Sequence, residues 1–395
     1  MVDIQPRENY AITVDGGGMK GLMVAQALVD LERELVGDNP LISDPRLKIL
    51  VGTSTGSVIA ACIAAGMRAK DIVKFYTDAS HVTFPPLMGG WLPSSLRFLY
   101  MAIKGMVSPS LYSNQPFIDQ IKANVKQHLG NENATLGDLS KWLEKYGPDK
   151  SVIITTGEIA NRRTHFLKTS DPDDADWKLW EAVLSSSSAP TIFPVYTRTQ
   201  NDNCYFTDGG VGAQGNPVYV AVQEAIKWRG YDPSTLTIFS FGTGWQSGSN
   251  YIKAVGKPSG WHILDWASNG SIVIIHDVAR TQSIDVIERY CNFDDYKSGM
   301  DFRRFQIALD QDFDPFASAD ENNQKMVQHG IELGKRVLTN RHAFVDYPTN
   351  QVSNELYDPE ELVNMYVRYK NSLARSQQKY AASAAQSLEA QKAKA

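Results

Sequence analysis

The sequence predicts a three-layer α/β/α fold with a largely parallel central sheet and helices gathered toward the C-terminus. Two consecutive segments read strand, tight glycine turn, helix, and units of that kind join parallel strands. Further β-rich runs alternate with helical stretches over the first 250 residues. No repeat of roughly 20–50 residues is visible, which removes solenoids and propellers.

The first unit is the apolar run Tyr10–Val14, the turn Asp15-Gly16-Gly17-Gly18, and a helix whose apolar spacing runs from Leu22 to Leu35. The second is Leu47–Val51, then Gly52-Thr53-Ser54-Thr55-Gly56, then the small-residue helix Ser57–Ala65. Strand-like runs follow at Ser151–Thr155, Thr164–Leu167, Cys204–Phe206 and Leu236–Phe241, with a helical stretch over Pro217–Trp228. These patterns place an α/β core over 1–250 and a mostly helical part, packed on the same fold, over 251–345. That part includes one β-like run near Phe302–Leu309. A helical extension covers 346–395, and its tail, 376–395, is rich in Ala, Ser, Gln and Lys and is expected to be exposed.

Composition sets the function classes aside by charge and redox. The 395 residues carry 39 basic and 44 acidic side chains, a net charge of −5, so no global positive field gathers a nucleic-acid polymer or an anionic lipid. Any anion site must be local. Three cysteines, Cys62, Cys204 and Cys291, fit neither a disulfide framework nor a zinc pattern, which points to a reducing, cytoplasmic compartment. The N-terminus lacks the charged-then-apolar order of a signal peptide. Apolar windows such as Val58–Ala65 are far shorter than the roughly 20 residues that cross a bilayer, so contact with a membrane is expected from one side.

Three motifs carry chemistry. Gly52-Thr53-Ser54-Thr55-Gly56 fits G-x-S-x-G, a sharp strand-to-helix turn that exposes the Ser54 hydroxyl where the helix dipole favours developing negative charge. Asp15-Gly16-Gly17-Gly18-Met19-Lys20-Gly21 satisfies the dinucleotide fingerprint G-x-G-x-x-G, and it equally suits a loop whose amides converge on an oxyanion. Glu34 and Asp38, the acids that could follow as ribose ligands, do not clearly end a second strand. Asp208-Gly209-Gly210 follows a β-like run, which puts its carboxylate at a strand end or in a solvated turn. Seven histidines, at 81, 128, 165, 262, 276, 329 and 342, leave a Ser–His–Asp triad open as a rival.

In that order, glycine loop, serine elbow and Asp-Gly-Gly, the chain resembles the patatin-like phospholipases. The resemblance extends to Ser185–Pro194, Asn216-Pro217 and Ser240–Gly244, and it covers roughly residues 10 to 340. It implies a lipid acyl hydrolase of phospholipase A or lysophospholipase type, working through a Ser54–Asp208 dyad and an acyl-enzyme. Gly16, Gly17, Gly18 and Thr55 would supply the oxyanion hole. Asp15, Lys20, Gly21, Gly52, Gly56, Gly209 and Gly210 would support the motifs. Lys20 stands where the family usually carries arginine, and Gly210 where alanine is frequent.

No cofactor and no metal is implied, since the acids do not cluster in a calcium-loop spacing. The expected partner is a membrane phospholipid met at the inner face of the membrane. Some bacterial members of the family, in anti-phage systems, are switched on by cyclic dinucleotides, and the resemblance therefore implies a possible activator of that kind. The rival of another class is a dinucleotide-binding module built on the glycine loop. In 81–112, Leu96, Leu99, Ile103 and Met106 share one helical face between prolines at 85, 86, 93 and 109, the pattern of a lid or interfacial element.

Overall fold

The computed structural model describes residues 4–83, 108, 110–198, 204–246, 257–260, 298–309 and 319–339, with isolated positions between 278 and 291. The lid segment expected over 81–112 lies largely outside the described residues, as do most of 251–297 and the whole extension 346–395 with its tail 376–395. What is described belongs to one compact unit, Met1–Phe344.

Its centre is an eight-stranded sheet. In chain order the strands are β1 Asn9–Val14, β2 Leu47–Thr53, β3 Ser151–Glu158, β4 Arg163–Lys168, β5 Tyr196–Arg198, β6 Cys204–Asp208, β7 Leu236–Phe241 and β9 Asp301–Phe305. The order across the sheet is β5-β6-β3-β2-β1-β7-β9, with β4 also paired to β3. Strands β3, β2, β1, β7 and β9 run parallel. Strands β4 and β6 run antiparallel to β3, and β5 antiparallel to β6. A separate parallel pair joins β8, Trp245–Gln246, to β10, Ala308–Leu309.

Near-complete burial of β1, β2, β3 and β7 on both faces requires a helical layer on each side. On one face Tyr10, Ile12, Val14, Leu50, Ile154, Phe239 and Phe241 share a core with α1 (Gly21–Val36), α2 (Thr55–Ala64), α3 (Ala69–Thr83), α4 (Gln115–Leu129), α5 (Leu136–Leu143), α6 (Leu179–Ser187) and α8 (Ala319–Leu338). Alternation sends Ala11, Ile49, Val51 and Ile238 to the other face, where α7, Val218–Val222, packs against β1, β2 and β7. The β-like run near 302–309 divides into β9, which closes the sheet beside β7, and β10.

Candidate active site

The site gathers at the C-terminal ends of β1 and β2, where an open α/β sheet leaves a crevice. Strand β2 stops at Thr53, Ser54 turns the chain, and α2 begins at Thr55. Ser54 sits at φ 54°, ψ −120°, a conformation that an L-residue adopts only when its surroundings enforce it. Those surroundings are the two motif glycines. A Cβ on Gly52 would lie 2.1 Å from the Gly56 carbonyl oxygen, and one on Gly56 would lie 2.1 Å from the Val14 oxygen. The elbow therefore folds onto itself and onto β1 at distances that only glycine permits.

The Asp208 carboxyl lies close enough to the Ser54 hydroxyl for that hydroxyl to lower its proton affinity. Its Oδ1 also accepts the Gly210 N–H at 2.8 Å. Burial pushes the Asp208 carboxyl up to about 6, opposed by the Ser54 hydroxyl and the Gly210 amide. Gly209 lets the turn close, since a Cβ there would sit 2.4 Å from the Thr155 carbonyl oxygen.

Beside Ser54 runs the glycine loop, close enough that a Cβ on Gly16 would lie 3.5 Å from the Ser54 Cβ. The four candidate donors, three on this loop and Thr55 at the start of α2, divide. Among the described residues, the amides of Gly17, Gly18 and Thr55 have no hydrogen-bond partner. Gly16 departs from the expectation that it would serve the oxyanion hole. Its N–H donates to the Gly215 carbonyl at 2.9 Å, and its own carbonyl accepts the Thr243 hydroxyl at 2.7 Å. An amide already paired in the fold has no hydrogen left for a ligand, so Gly16 anchors the loop instead. Thr55 is steadied from α3, where the Tyr76 hydroxyl donates to the Thr55 carbonyl at 2.9 Å and also meets the Thr55 hydroxyl. A Cβ on Gly21 would lie 2.1 Å from that hydroxyl oxygen, so the same junction needs glycine at 21.

Asp15 holds the loop from below. Arg304 of β9 grips its carboxylate with both terminal nitrogens, Nη1 to Oδ1 at 2.8 Å and Nη2 to Oδ2 at 2.5 Å. Nη1 also donates to Ser240 Oγ at 2.8 Å. Burial pushes the Asp15 carboxyl up and the guanidinium opposes it. Lys20 stands elsewhere, in the short turn Gly18–Lys20 ahead of α1.

Four positioning residues carried no role in the sequence reading. Ser186, at the end of α6, accepts the Ser54 N–H on its Oγ at 2.8 Å, and its carbonyl accepts the Gly209 N–H at 3.3 Å. One residue thereby braces both halves of the site. Ser186 and Thr243 lie inside the quoted stretches Ser185–Pro194 and Ser240–Gly244, which was the available signal for them. For Arg304 the signal was Arg303-Arg304 inside a β-like run, because alternation buries at least one of two adjacent arginines and a buried guanidinium needs an acid. Tyr76 left no signal beyond its place on a helix.

The rival readings find less support here. Among the described histidines, His165 on β4 is held by Asp174 Oδ1 at 3.1 Å, and no imidazole contributes to the environment of Asp208. His262, His276 and His342 lie outside the described residues, as does the side chain of His81. Strand β2 ends in Gly52-Thr53, with no acid where a dinucleotide fingerprint places its ribose ligand. Among the described residues no group of three His, Cys, Asp or Glu could hold a metal ion.

Residues 12–222 match the family described as Patatin-like phospholipase. Patatin-like protein 2 of Oryza sativa subsp. indica is 25% identical over 374 aligned residues, covering 86% of this chain and 85% of the rice protein. The cGAMP-activated phospholipase of Escherichia coli (strain TW11681) is 27% identical over 225 residues, 55% of either chain. Among solved structures, VipD from Legionella pneumophila aligns with a TM-score of 0.40 and 15% identity, over 84% of this chain and 67% of that one. This chain belongs to the patatin-like phospholipase family, and with it to the lipid acyl hydrolases that cleave carboxylic esters.

Proposed function

We propose that the protein cleaves fatty-acyl esters of membrane phospholipids, as a phospholipase A or lysophospholipase, with Ser54 as nucleophile and Asp208 as its base. Ser54 Oγ attacks the ester carbonyl carbon while its proton passes to Asp208, and the carbonyl electron pair moves onto oxygen. The amides of Gly17, Gly18 and Thr55 receive that oxyanion, each such donor typically being worth about 2.7–4 kcal/mol of barrier. Collapse breaks the bond to the glycerol oxygen, which takes the proton back from Asp208 and leaves as an alcohol. Water, deprotonated by Asp208, then releases the fatty acid from the acyl-enzyme.

The observation that carries this reading is a buried carboxylate whose proton affinity lies near 6 and is lowered by the Ser54 hydroxyl, beside three amides without a partner among the described residues. A base of that strength is ionised at neutral pH yet still takes a proton in the transition state. The decisive experiment is mass-spectrometric analysis of products from mixed phospholipid vesicles, alongside fluorophosphonate labelling, for wild type and Ser54→Ala. Free fatty acid and label from wild type alone are expected. Equal release by Ser54→Ala removes the reading.

No helix among the described residues is long and apolar enough to cross a membrane. The free thiols of Cys62, Cys204 and Cys291 support a reducing, cytoplasmic setting. A second reading concerns control: two relatives bear the name cGAMP-activated phospholipase, which supports a cyclic dinucleotide as the switch. Vesicle hydrolysis with and without a cyclic-dinucleotide panel tests it, and activity unmoved by every member removes it.

A further inference from the structure

The large apolar side chains left exposed among the described residues are Ile159, Val195, Tyr205, Val211, Trp228 and Ile331, and four of these six share one surface. Strand β5 alternates, with Tyr196 and Arg198 buried and Val195 and Thr197 exposed. Across the ladder Thr197 pairs with Tyr205, so Tyr205 projects from the same outward face while Phe206 turns inward. Ile159 continues the row past the end of β3, its N–H donating to the Tyr205 carbonyl at 2.9 Å. The turn Gly210–Gln214 lies over the neighbouring strands on that side, with its Gly212 carbonyl accepting the Thr164 hydroxyl at 2.7 Å. That turn carries Val211, 53% exposed and three positions beyond Asp208.

Scattered apolar residues on a surface need no explanation, but here Ile159, Tyr205 and Val195 form a row across neighbouring strands, with Val211 three positions beyond Asp208. The rim adds a cation: Arg162, at the tip of the β3–β4 hairpin, is exposed and has no acidic partner among the described residues. Branched aliphatic side chains, a tyrosine and an unpaired arginine are the groups that settle at a headgroup boundary, apolar parts toward the acyl chains and guanidinium toward phosphate. We propose that the face formed by Ile159, Val195, Thr197, Tyr205 and Val211 seats the enzyme on a phospholipid bilayer and delivers lipid to Ser54. The proposal rests on the phospholipase reading. Its location follows from continuity, since the backbone that displays Val211 also supplies Gly210 to the Asp208 carboxylate.

The test uses the full chain carrying Ser54→Ala, so that binding is read without hydrolysis, floated with vesicles of phosphatidylcholine and phosphatidylglycerol. Replacing Ile159→Asn, Val195→Thr and Tyr205→Thr together should weaken partitioning by roughly tenfold or more. In the active background the triple variant should lose vesicle hydrolysis in parallel while turnover of a water-soluble short-chain ester stays within about twofold. A gain-of-binding variant, Thr197→Trp, should strengthen partitioning several-fold, which keeps the test open should the triple variant fold poorly. Flotation of the triple variant equal to its parent, no effect of Thr197→Trp, or a parent that does not float overturns the proposal. So does a parent dimer that the triple substitution converts to monomer without changing flotation, which would make the face a contact between copies of the chain. A wild type inactive on every ester, yet floating through this face, sinks the hydrolase reading and leaves the docking surface standing.

Discussion

Thr53 and Asp208 pair with consecutive residues of β3, Thr53 with Thr155 and Asp208 with Thr156. Strand β4 pairs with β3 from Ile153 to Glu158, so β2 and β6 must share the other edge of β3, end to end. Each runs toward the other and stops at the junction. The residue after Thr53 is the strained Ser54, and the last residue of β6 is Asp208, so two strand ends deliver a hydroxyl and a carboxylate to one point.

The first prediction concerns pH. With the Asp208 carboxyl pushed up to about 6, kcat/KM on a soluble ester should fall about tenfold per pH unit below that value and level off above it. A stopped-flow profile from pH 4.5 to 8.5 checks this, and a flat line across pH 5–7 counts against Asp208 as the base.

Stability should move the opposite way at the same residue. The folded carboxyl near 6 lies above its ordinary value of 3.8, so between those values the folded protein holds a proton that the unfolded chain has lost. Stability from this group is present in full below about pH 4, declines as pH rises toward 6, and is level beyond. Asp208→Asn should therefore stabilise the fold at pH 8, by up to about 3 kcal/mol, and have little effect at pH 4, while abolishing turnover. Urea denaturation of both proteins at the two pH values decides the matter.

Breaking the Asp15–Arg304 pair should be costly because the remaining partner is left buried and charged. Arg304→Met is expected to lose about 3–5 kcal/mol, with Asp15→Asn/Arg304→Met recovering much of it. Arg304→Lys should fall between, since it keeps the charge without the two-pronged grip. Thermal melts of wild type, Asp15→Asn, Arg304→Met and the double variant form the cycle, and strict additivity would falsify the pairing.

The glycine loop gives a graded comparison. A Cβ on Gly17 would lie 2.2 Å from Thr243 Oγ1, so Gly17→Ala must displace either the loop or Thr243, which ties Gly16 in place. Gly18→Ala meets open space, at φ +58°, and should cost only about 1 kcal/mol of backbone strain. Turnover should drop on the order of 100-fold for Gly17→Ala and far less for Gly18→Ala, with equal losses contradicting the packing argument.

Much of this site was legible before any coordinates, and for local reasons. Gly52 and Gly56 flank Ser54 because an elbow that tight touches its own backbone, and such spacing is written in the chain. The two strand–turn–helix units were readable by the same token, as was the β-like run that became β9 and β10. Gly16 was misread as an oxyanion donor because consecutive glycines look alike in sequence, and only the Gly215 carbonyl distinguishes the first from the next two. Ser186 was present in a quoted motif without a role, since nothing local says that its hydroxyl accepts the amide of a residue 132 positions away.

What the sequence by itself determined was therefore the character of short segments: which residues bend, which alternate, and which serine and acids stand at strand ends. Those properties depend on backbone conformation within a few residues. Only the tertiary structure decided that β6 meets β2 head-on along β3, that Arg304 crosses 289 positions to hold Asp15, and that Ile159 and Tyr205 become neighbours across strands. Strand order and register place those groups together, and they arise from burial of whole faces against one another, a cooperative outcome that no single window of sequence contains.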